Sequence, residues 1–321
     1  FFKFLKKIGE YQLNQSDAEQ EEIVMMKREL SNICELYDSH RLFVLYNIAK
    51  IYYLCNVQSN NEGLASREIE IDTTLQKMND IFEKYPLDTF YQNIKGITNL
   101  LYFEYYTKTK NVVRADYYLN KVHATMPELA EKPTMHFFLV QFLHAKISKY
   151  SLDSNLEQLS FGYDIIENQL DVKENETFHL VSAYRYMATV KFYAKDFQGA
   201  AKKINQLRNR IALKQHLVAD VDNKIFQALQ YCILGEDSLC MQIVSSLKRQ
   251  IKDNESQFES TKAMIKILKT ALKPADYRKK MKRIAEMWNE FESINKTPYF
   301  VMKNIKLDET TLRKMCNPIK S

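Results

Sequence analysis

The scarcity of glycine and proline is the feature that most constrains this chain, which has only 6 of each among 321 residues. Average usage is about 7% for glycine and 5% for proline. Glycine most readily supplies the positive φ that tight hairpins and βα turns require. The composition therefore argues against β-sandwiches, barrels and nucleotide-binding α/β folds, and it predicts long helices joined by short connections.

The pattern of polar and apolar residues predicts one helix after another. Ser16-Asp17 has the side chains of an N-cap, the polar stretch 56–65 is expected to be a loop insertion, and Pro127 and Pro133 are expected to bracket another loop. One apolar stripe (Leu156, Leu159, Tyr163, Ile166, Leu170) predicts a single helix over 153–170. The other predicted helices are 18–36, 42–55, 69–85, 88–109, 112–125, 134–150, 175–194, 197–213, 216–234, 237–253, 256–272 and 275–294, with a short one at 309–315.

An internal repeat is visible in the spacing of small residues on alternate predicted helices. They fall every 40–45 residues, at Thr74, Ala115, Ser160 (or Gly162), Ala200 and Cys240, and the same interval leads on to Ala285. Two antiparallel helices cross closely where small side chains face each other, and larger residues one turn away fill the adjacent grooves. Each hairpin leaves an apolar face that only a neighbouring hairpin can cover, so the units are expected to stack.

Three stretches share one skeleton, in which a small residue (Phe103 stands there in the third stretch) and an aromatic residue precede a turn and a second small residue. They are Ala188/Asp196/Phe197/Ala200, Ala228/Tyr231/Gly235/Cys240 and Phe103/Tyr106/Ala115/Pro127. This skeleton resembles the tetratricopeptide repeat, with a period longer than the usual 34 or so residues. The resemblance implies an all-α fold, a right-handed α-solenoid of stacked antiparallel hairpins. We expect a leading helical pair at 1–40, the repeat array at 41–295 and a tail with a short helix at 296–321.

The resemblance also implies a non-enzymatic scaffold that binds a protein or peptide in a concave groove, lined by the first helix of each repeat. The expected groove residues are Tyr46, Lys50, Tyr53, Leu100, Glu104, Thr107, Arg185, Thr189, Phe192, Ile225 and Leu229. Their pattern does not reproduce the Lys and Asn clamp with which some family members hold C-terminal carboxylates. Chaperone tails are therefore not the expected ligand.

A second hypothesis is that the chain is the ligand- or peptide-sensing half of a transcription regulator. The chain begins at Phe1 without an initiator methionine, so we expect a fragment or a processed product that lacks a DNA-binding domain. Residues 1–40 do not form a complete helix-turn-helix pattern. This hypothesis stays open beside the scaffold.

Residues with the spacing of a catalytic or metal site are missing from the sequence. The six histidines are isolated, and neither a His-Glu-x-x-His motif nor a phosphate-binding glycine loop occurs. Five cysteines, odd in number and far apart, suit reduced thiols in the cytoplasm. No apolar run approaches 18 residues, so no transmembrane helix is expected. We therefore expect no enzymatic activity, cofactor or metal.

The net charge of +6 is concentrated in one segment near the C-terminus. Nine basic residues are opposed there only by Asp276: Lys262, Lys266, Lys269, Lys273, Arg278, Lys279, Lys280, Lys282 and Arg283. Such a segment is either a solvated helix face or a docking patch, for which an acidic protein is the expected partner. The aromatic residues lie mainly in 45–193, away from this patch, so nucleic acid is not expected. The oligomeric state stays open.

Overall fold

The computed structural model describes residues 1–58, 66–173, 176–254, 257–294, 302 and 305–316. Throughout this part the secondary structure is helical and contains no strand, which confirms the predicted all-α class. The contacts divide the chain into two compact units, Phe1–Ala183 and Tyr184–Ser321. The boundary falls within one helix, Thr177–Tyr193.

The first unit is a succession of helices, each packed on its neighbours. Their bounds are α1 Phe2–Asn14, α2 Asp17–Leu36, α3 His40–Asn56, α4 Glu68–Lys84, α5 Thr89–Lys108, α6 Val112–Glu131, α7 His136–Asp153, α8 Leu156–Ser160, α9 Tyr163–Asn168 and the start of α10, Thr177–Tyr193. Helix α5 packs against α3, α4, α6 and α7. The mostly apolar sequence of α5 suits a helix enclosed in this way, because residues 100–107 are all buried.

The second unit is built in the same way. After the end of α10 it contains α11 Phe197–Arg210, α12 Leu217–Leu234, α13 Asp237–Gln250, α14 Glu259–Leu272, α15 Tyr277–Ile294 and α16 Glu309–Cys316. Helix α12 packs against α11, α13, α14 and α16, and α14 also packs against α15. The core of this unit therefore surrounds α12.

Three hairpin turns have the same backbone geometry. Their central residues are Lys110, Lys195 and Gly235, with φ of 61°, 65° and 76°. In each turn the next N–H donates to the carbonyl five residues back, at 2.8 Å for Asn111 to Tyr106 and 2.9 Å for Asp196 to Lys191 and Glu236 to Tyr231. This is the Schellman ending of a helix. The repeat seen in the sequence thus has a counterpart in the backbone at all three of these turns.

Burial of the small residues follows the predicted hairpins in part. Ala115, Ala200 and Cys240 are completely inaccessible to solvent, as are the first-helix residues Ala188 and Ala228. The predicted burial of Ala200 and Cys240 is therefore confirmed. Thr74, Ser160 and Ala285 are only half-buried, so the crossing pattern is regular in the middle hairpins alone.

The predicted loop between Pro127 and Pro133 is wrong at its first end. Helix α6 continues through Pro127 to Glu131. A proline inside a helix removes one backbone hydrogen bond, but Met126, Leu129 and Ala130 lie on the buried face of the same turn. Burial of these side chains stabilises the extra helix enough to offset the lost bond.

The single helix predicted over 153–170 is also wrong. The structure has two short helices, α8 and α9, with Phe161 and Gly162 between them. Gly162 adopts a φ of 78°, and a Cβ there would lie 2.5 Å from the sulfur of Met126. Glycine fits because it has no side chain, so the close approach of α6 breaks the stripe that the spacing predicted. Most of the loop insertion predicted at 56–65 lies outside the described residues, and α3 extends to Asn56.

Candidate functional site

Most of the expected groove residues are in the core of the structure. Only Tyr46, Lys50 and Arg185 keep partial exposure. The others are buried: Tyr53, Leu100, Glu104, Thr107, Thr189, Phe192, Ile225 and Leu229. A partner cannot reach these eight side chains while the surrounding helices stay in place.

In the first unit, α5 is enclosed by α3, α4, α6 and α7, and α1 covers part of α3. Helix α1 packs against α3 and α7 with Phe4, Leu5 and Ile8 almost fully buried. Gly9 lies so close to α10 that a Cβ on it would be 2.8 Å from the ring of Phe178. Helix α1 therefore lies across helices that the resemblance expected to be open to a ligand.

A polar network lies beneath α1. The Gln12 amide donates to Asn56 Oδ1 at 2.9 Å and exchanges hydrogen bonds with Gln141, and Asn56 Nδ2 donates to Glu104 Oε1 at 2.6 Å. Glu104 is only 4% exposed. Burial disfavours its charged form and raises the pKa of the Glu104 carboxyl to about 7. Glu104 is thus a buried structural carboxyl in this structure rather than part of an open surface.

In the second unit, the described residues after α15 cover the corresponding helices. The Met302 N–H donates to Asp222 Oδ1 at 2.6 Å, and the Lys306 N–H donates to the Tyr193 hydroxyl at 3.0 Å. Met302 and Ile305 are buried, and α16 packs against α12, the helix that carries Ile225 and Leu229. This packing adds to that of α11, α13 and α14 on α12, where both of those expected groove residues are inaccessible.

The basic residues near the C-terminus lie mostly at the surface, as the sequence predicts. Seven of the nine are exposed, while Lys269 and Lys280 are half-buried. Together with the exposed Lys248 of α13, the lysines of the α14 segment form what we call the lysine face: Lys248, Lys262, Lys266, Lys269 and Lys273. The neighbouring ammonium of Lys248 lowers the pKa of Lys269, with smaller effects of burial and Lys273.

An open cleft lies over α5, between α4 and α6, which both pack on it. Its volume is about 900 Å³. We call it the tyrosine cleft, and its lining consists of Asp72, Thr73, Gln76, Lys77, Asp80, Tyr102, Tyr106, Val113, Arg114, Tyr117 and Tyr118. A smaller opening of about 320 Å³ adjoins it and shares Lys77 and Asp80. None of the expected groove residues lines either opening.

The side chains of the tyrosine cleft are held in fixed positions. The rings of Tyr102 and Tyr118 stack with centroids 4.3 Å apart and planes 8° apart. The Tyr106 hydroxyl donates to Asp72 Oδ1 at 2.6 Å and accepts from Arg114 at 2.6 Å. Arg114 also pairs with Asp72 at 3.0 Å and lies 5.1 Å from the centre of the Tyr106 ring. The floor is therefore flat, aromatic and rigidly positioned.

The sequence places Tyr106 in the repeat skeleton, but its pattern does not bring Tyr102 or α6 into a binding site. A local signal was present, because Val113 and Tyr117 lie one helical turn apart and are both exposed, at 81% and 56%. Two large apolar residues on the outer face of a second helix are not needed for packing within the hairpin.

Other kinds of site find no support among the described residues. No group of three or more His, Cys, Asp or Glu side chains in that part is placed to hold a metal ion. The five cysteines are unpaired, and burial raises the pKa of the Cys55 thiol well above its usual range. No helix in the described ranges is long and apolar enough to cross a membrane.

Comparisons with protein-family models, with curated proteins and with solved structures find no match to this chain. The likeness to tetratricopeptide repeats therefore rests on the residues of the chain itself.

Proposed function

We propose that this chain is a non-enzymatic scaffold with tetratricopeptide-like hairpins that binds a protein or peptide, and that it docks an acidic partner through the lysine face. The observation that carries the proposal is the surface charge of four lysines of this face, Lys248, Lys266, Lys269 and Lys273. In the described part of the chain, no carboxylate lies within 4 Å of Lys248, Lys266, Lys269 or Lys273. A face of this kind attracts anionic groups and accelerates their association.

Packing holds the lysine face in place. Ile265 and Leu268 of α14 are buried, and α14 packs against α13. This brings Lys248 close enough to Lys269 to lower the pKa of its ammonium group. Repulsion between the two positive charges raises the free energy of the unbound protein, and a carboxylate placed between them would relieve this repulsion. An acidic partner would therefore bind more tightly here than at an isolated lysine.

Eight of the eleven residues that the resemblance places in a concave groove are buried. A ligand would reach them only if the surrounding helices moved. The lysine face needs no such rearrangement, because Lys262, Lys266 and Lys273 are exposed already.

The test uses a fluorescent polyglutamate peptide and reversal of three charges, Lys266→Glu, Lys269→Glu and Lys273→Glu. We expect the triple variant to lose about tenfold or more in affinity, and binding to the wild type to weaken steeply with added salt. The matched control reverses three lysines elsewhere in the same unit: Lys202→Glu, Lys214→Glu and Lys252→Glu. If both triple variants lost the same affinity for the peptide, only the net charge of the protein would matter, and the proposal would be wrong.

A further inference from the structure

The tyrosine cleft has the shape of a short groove between two helices. Five residues of α4 line it, from Asp72 to Asp80, and they recur on one face of the helix. At 1.5 Å per residue this wall is about 12 Å long, or a little over two helical turns. The opposite wall is formed by α6 from Val113 to Tyr118.

Both rims of the tyrosine cleft carry exposed apolar side chains. Ile69, one turn before Thr73 on α4, is 83% exposed, and Val113 on α6 is 81% exposed. Tyr117 adds an aromatic ring that is 56% exposed, beside the stacked pair of Tyr102 and Tyr118. Apolar groups gathered around an aromatic floor are typical of the centre of a protein interface.

The fixed charges of the tyrosine cleft are balanced, in contrast to the lysine face. Two carboxylates, Asp72 and Asp80, line it together with two cationic groups, Lys77 and Arg114. Asp72 is already paired with Arg114, and Asp80 accepts a hydrogen bond from Gln76 at 2.9 Å. A ligand that complements this charge pattern presents a neutral, apolar surface.

A helix suits this groove better than an extended strand does. An extended peptide leaves its backbone N–H and C=O groups to be paired by the site. The walls are themselves α-helices, whose backbone groups are satisfied internally, so the cleft offers only side chains such as Thr73 and Gln76. A helical ligand satisfies its own backbone and needs from the cleft only a place for its apolar side chains.

We propose that the tyrosine cleft binds an amphipathic helix of a partner protein, which places an aromatic side chain against Tyr117 and Tyr118. This site lies in the first unit and uses apolar contact, so it is independent of the lysine face in the second. Lys121 lies 4.4 Å from the centre of the Tyr117 ring and covers one of its faces. The ligand ring therefore takes the face of Tyr117 that is left open to the cleft.

The experiment pans a displayed library of random peptides of about 16 residues, long enough for four helical turns, against the full chain. An enriched peptide is then measured in solution by fluorescence anisotropy. We expect an aromatic residue with apolar neighbours three or four positions away, helical circular dichroism on binding, and an affinity that changes little with salt. Tyr117→Ala should weaken binding by about tenfold or more, as at an interface hot spot. The matched control is Tyr277→Ala, an exposed tyrosine of the second unit, which should bind as the wild type does.

Three results would overturn the proposal. The first is a failure of the binding test: either no peptide is enriched, or the enriched peptides bind Tyr117→Ala as well as they bind the wild type. The second is that the bound peptide is extended rather than helical. The third is a wild-type dimer in sedimentation that Val113→Asp turns into a monomer, because a second copy of the chain would then cover the cleft. The lysine-face triple variant should keep its affinity for the cleft peptide, and Tyr117→Ala should keep its affinity for polyglutamate, so failure of one site leaves the other standing.

Discussion

Replacing Glu104 by glutamine should stabilise the protein above neutral pH and leave its stability nearly unchanged in acid. The carboxyl is buried on α5, and it accepts a hydrogen bond from the Asn56 amide at 2.6 Å. Burial raises its pKa from 4.5 to about 7, although Lys108 and the Asn56 hydrogen bond oppose the change. The folded protein thus holds a proton at pH values where the unfolded chain has released it.

The sign and the size of the effect follow from this difference in proton binding. Because the folded state binds the proton more tightly, the free energy of unfolding falls as pH rises from about 4.5 to about 7. At about 1.4 kcal/mol per pH unit, the total loss is about 3 kcal/mol. Glutamine has no charge to bury and keeps an oxygen that accepts from Asn56. The variant should therefore gain about 3 kcal/mol over the wild type at pH 8, and almost nothing near pH 4.5.

The assay is urea unfolding of wild type and variant at about pH 5 and pH 8, with the dependence on urea checked for equal slopes. Glu83→Gln serves as the control, because Glu83 is exposed on the neighbouring helix α4. Its effect should be small and equal at both pH values. If the advantage of Glu104→Gln is as large at pH 5 as at pH 8, burial of the charge is not the cause, and the reasoning is wrong.

Three further changes test other parts of the structure. Burial lowers the pKa of Lys146 from 10.5 to about 7. The buried ammonium therefore destabilises the folded protein fully below pH 7, and this effect disappears as pH rises towards 10.5. In urea unfolding, Lys146→Met should stabilise the protein far more at pH 6 than at pH 10. Ala200→Leu should lower stability by about 1–3 kcal/mol through overpacking, and an unchanged melting temperature would mean that no close crossing exists there. Pro127→Ala should raise stability by about 1–2 kcal/mol, because alanine restores the hydrogen bond that proline lacks inside α6; a lower melting temperature would contradict this.

Helix starts were predictable from the sequence because their signals are local. The side chain of Ser16 accepts from the N–H of Glu19, and that of Asp88 accepts from the N–H of Phe90, as expected of N-caps. The errors at Pro127 and Gly162 have a different origin. In both places, packing between distant segments decides whether the helix continues, and a local pattern contains no such information.

The same distinction applies to the candidate sites. The exposure of Lys266 and Lys273 follows from the spacing of charges along one helix, and it was predicted correctly. The covering of Glu104 depends on contacts such as that between Gln12 and Gln141, which are 129 residues apart. Side chains this distant show no periodicity that links them, so the packing of α1 on α3 and α7 could not be predicted from the sequence.

The left-handed residues in the hairpin turns bear on how the protein can change over time. Lys110 and Lys195 occupy a position that Gly235 fills in the next turn, and a side chain in this conformation costs about 1–2 kcal/mol. Glycine avoids this cost, but part of the gain in stability is lost because glycine raises the conformational entropy of the unfolded chain. Replacing Lys110 by glycine is therefore expected to be a thermostabilising substitution that alters no helix, whereas replacing Lys195 would also remove its ion pair with Asp308 at 2.6 Å. A stabilising substitution at the first turn would let the protein tolerate a destabilising mutation elsewhere.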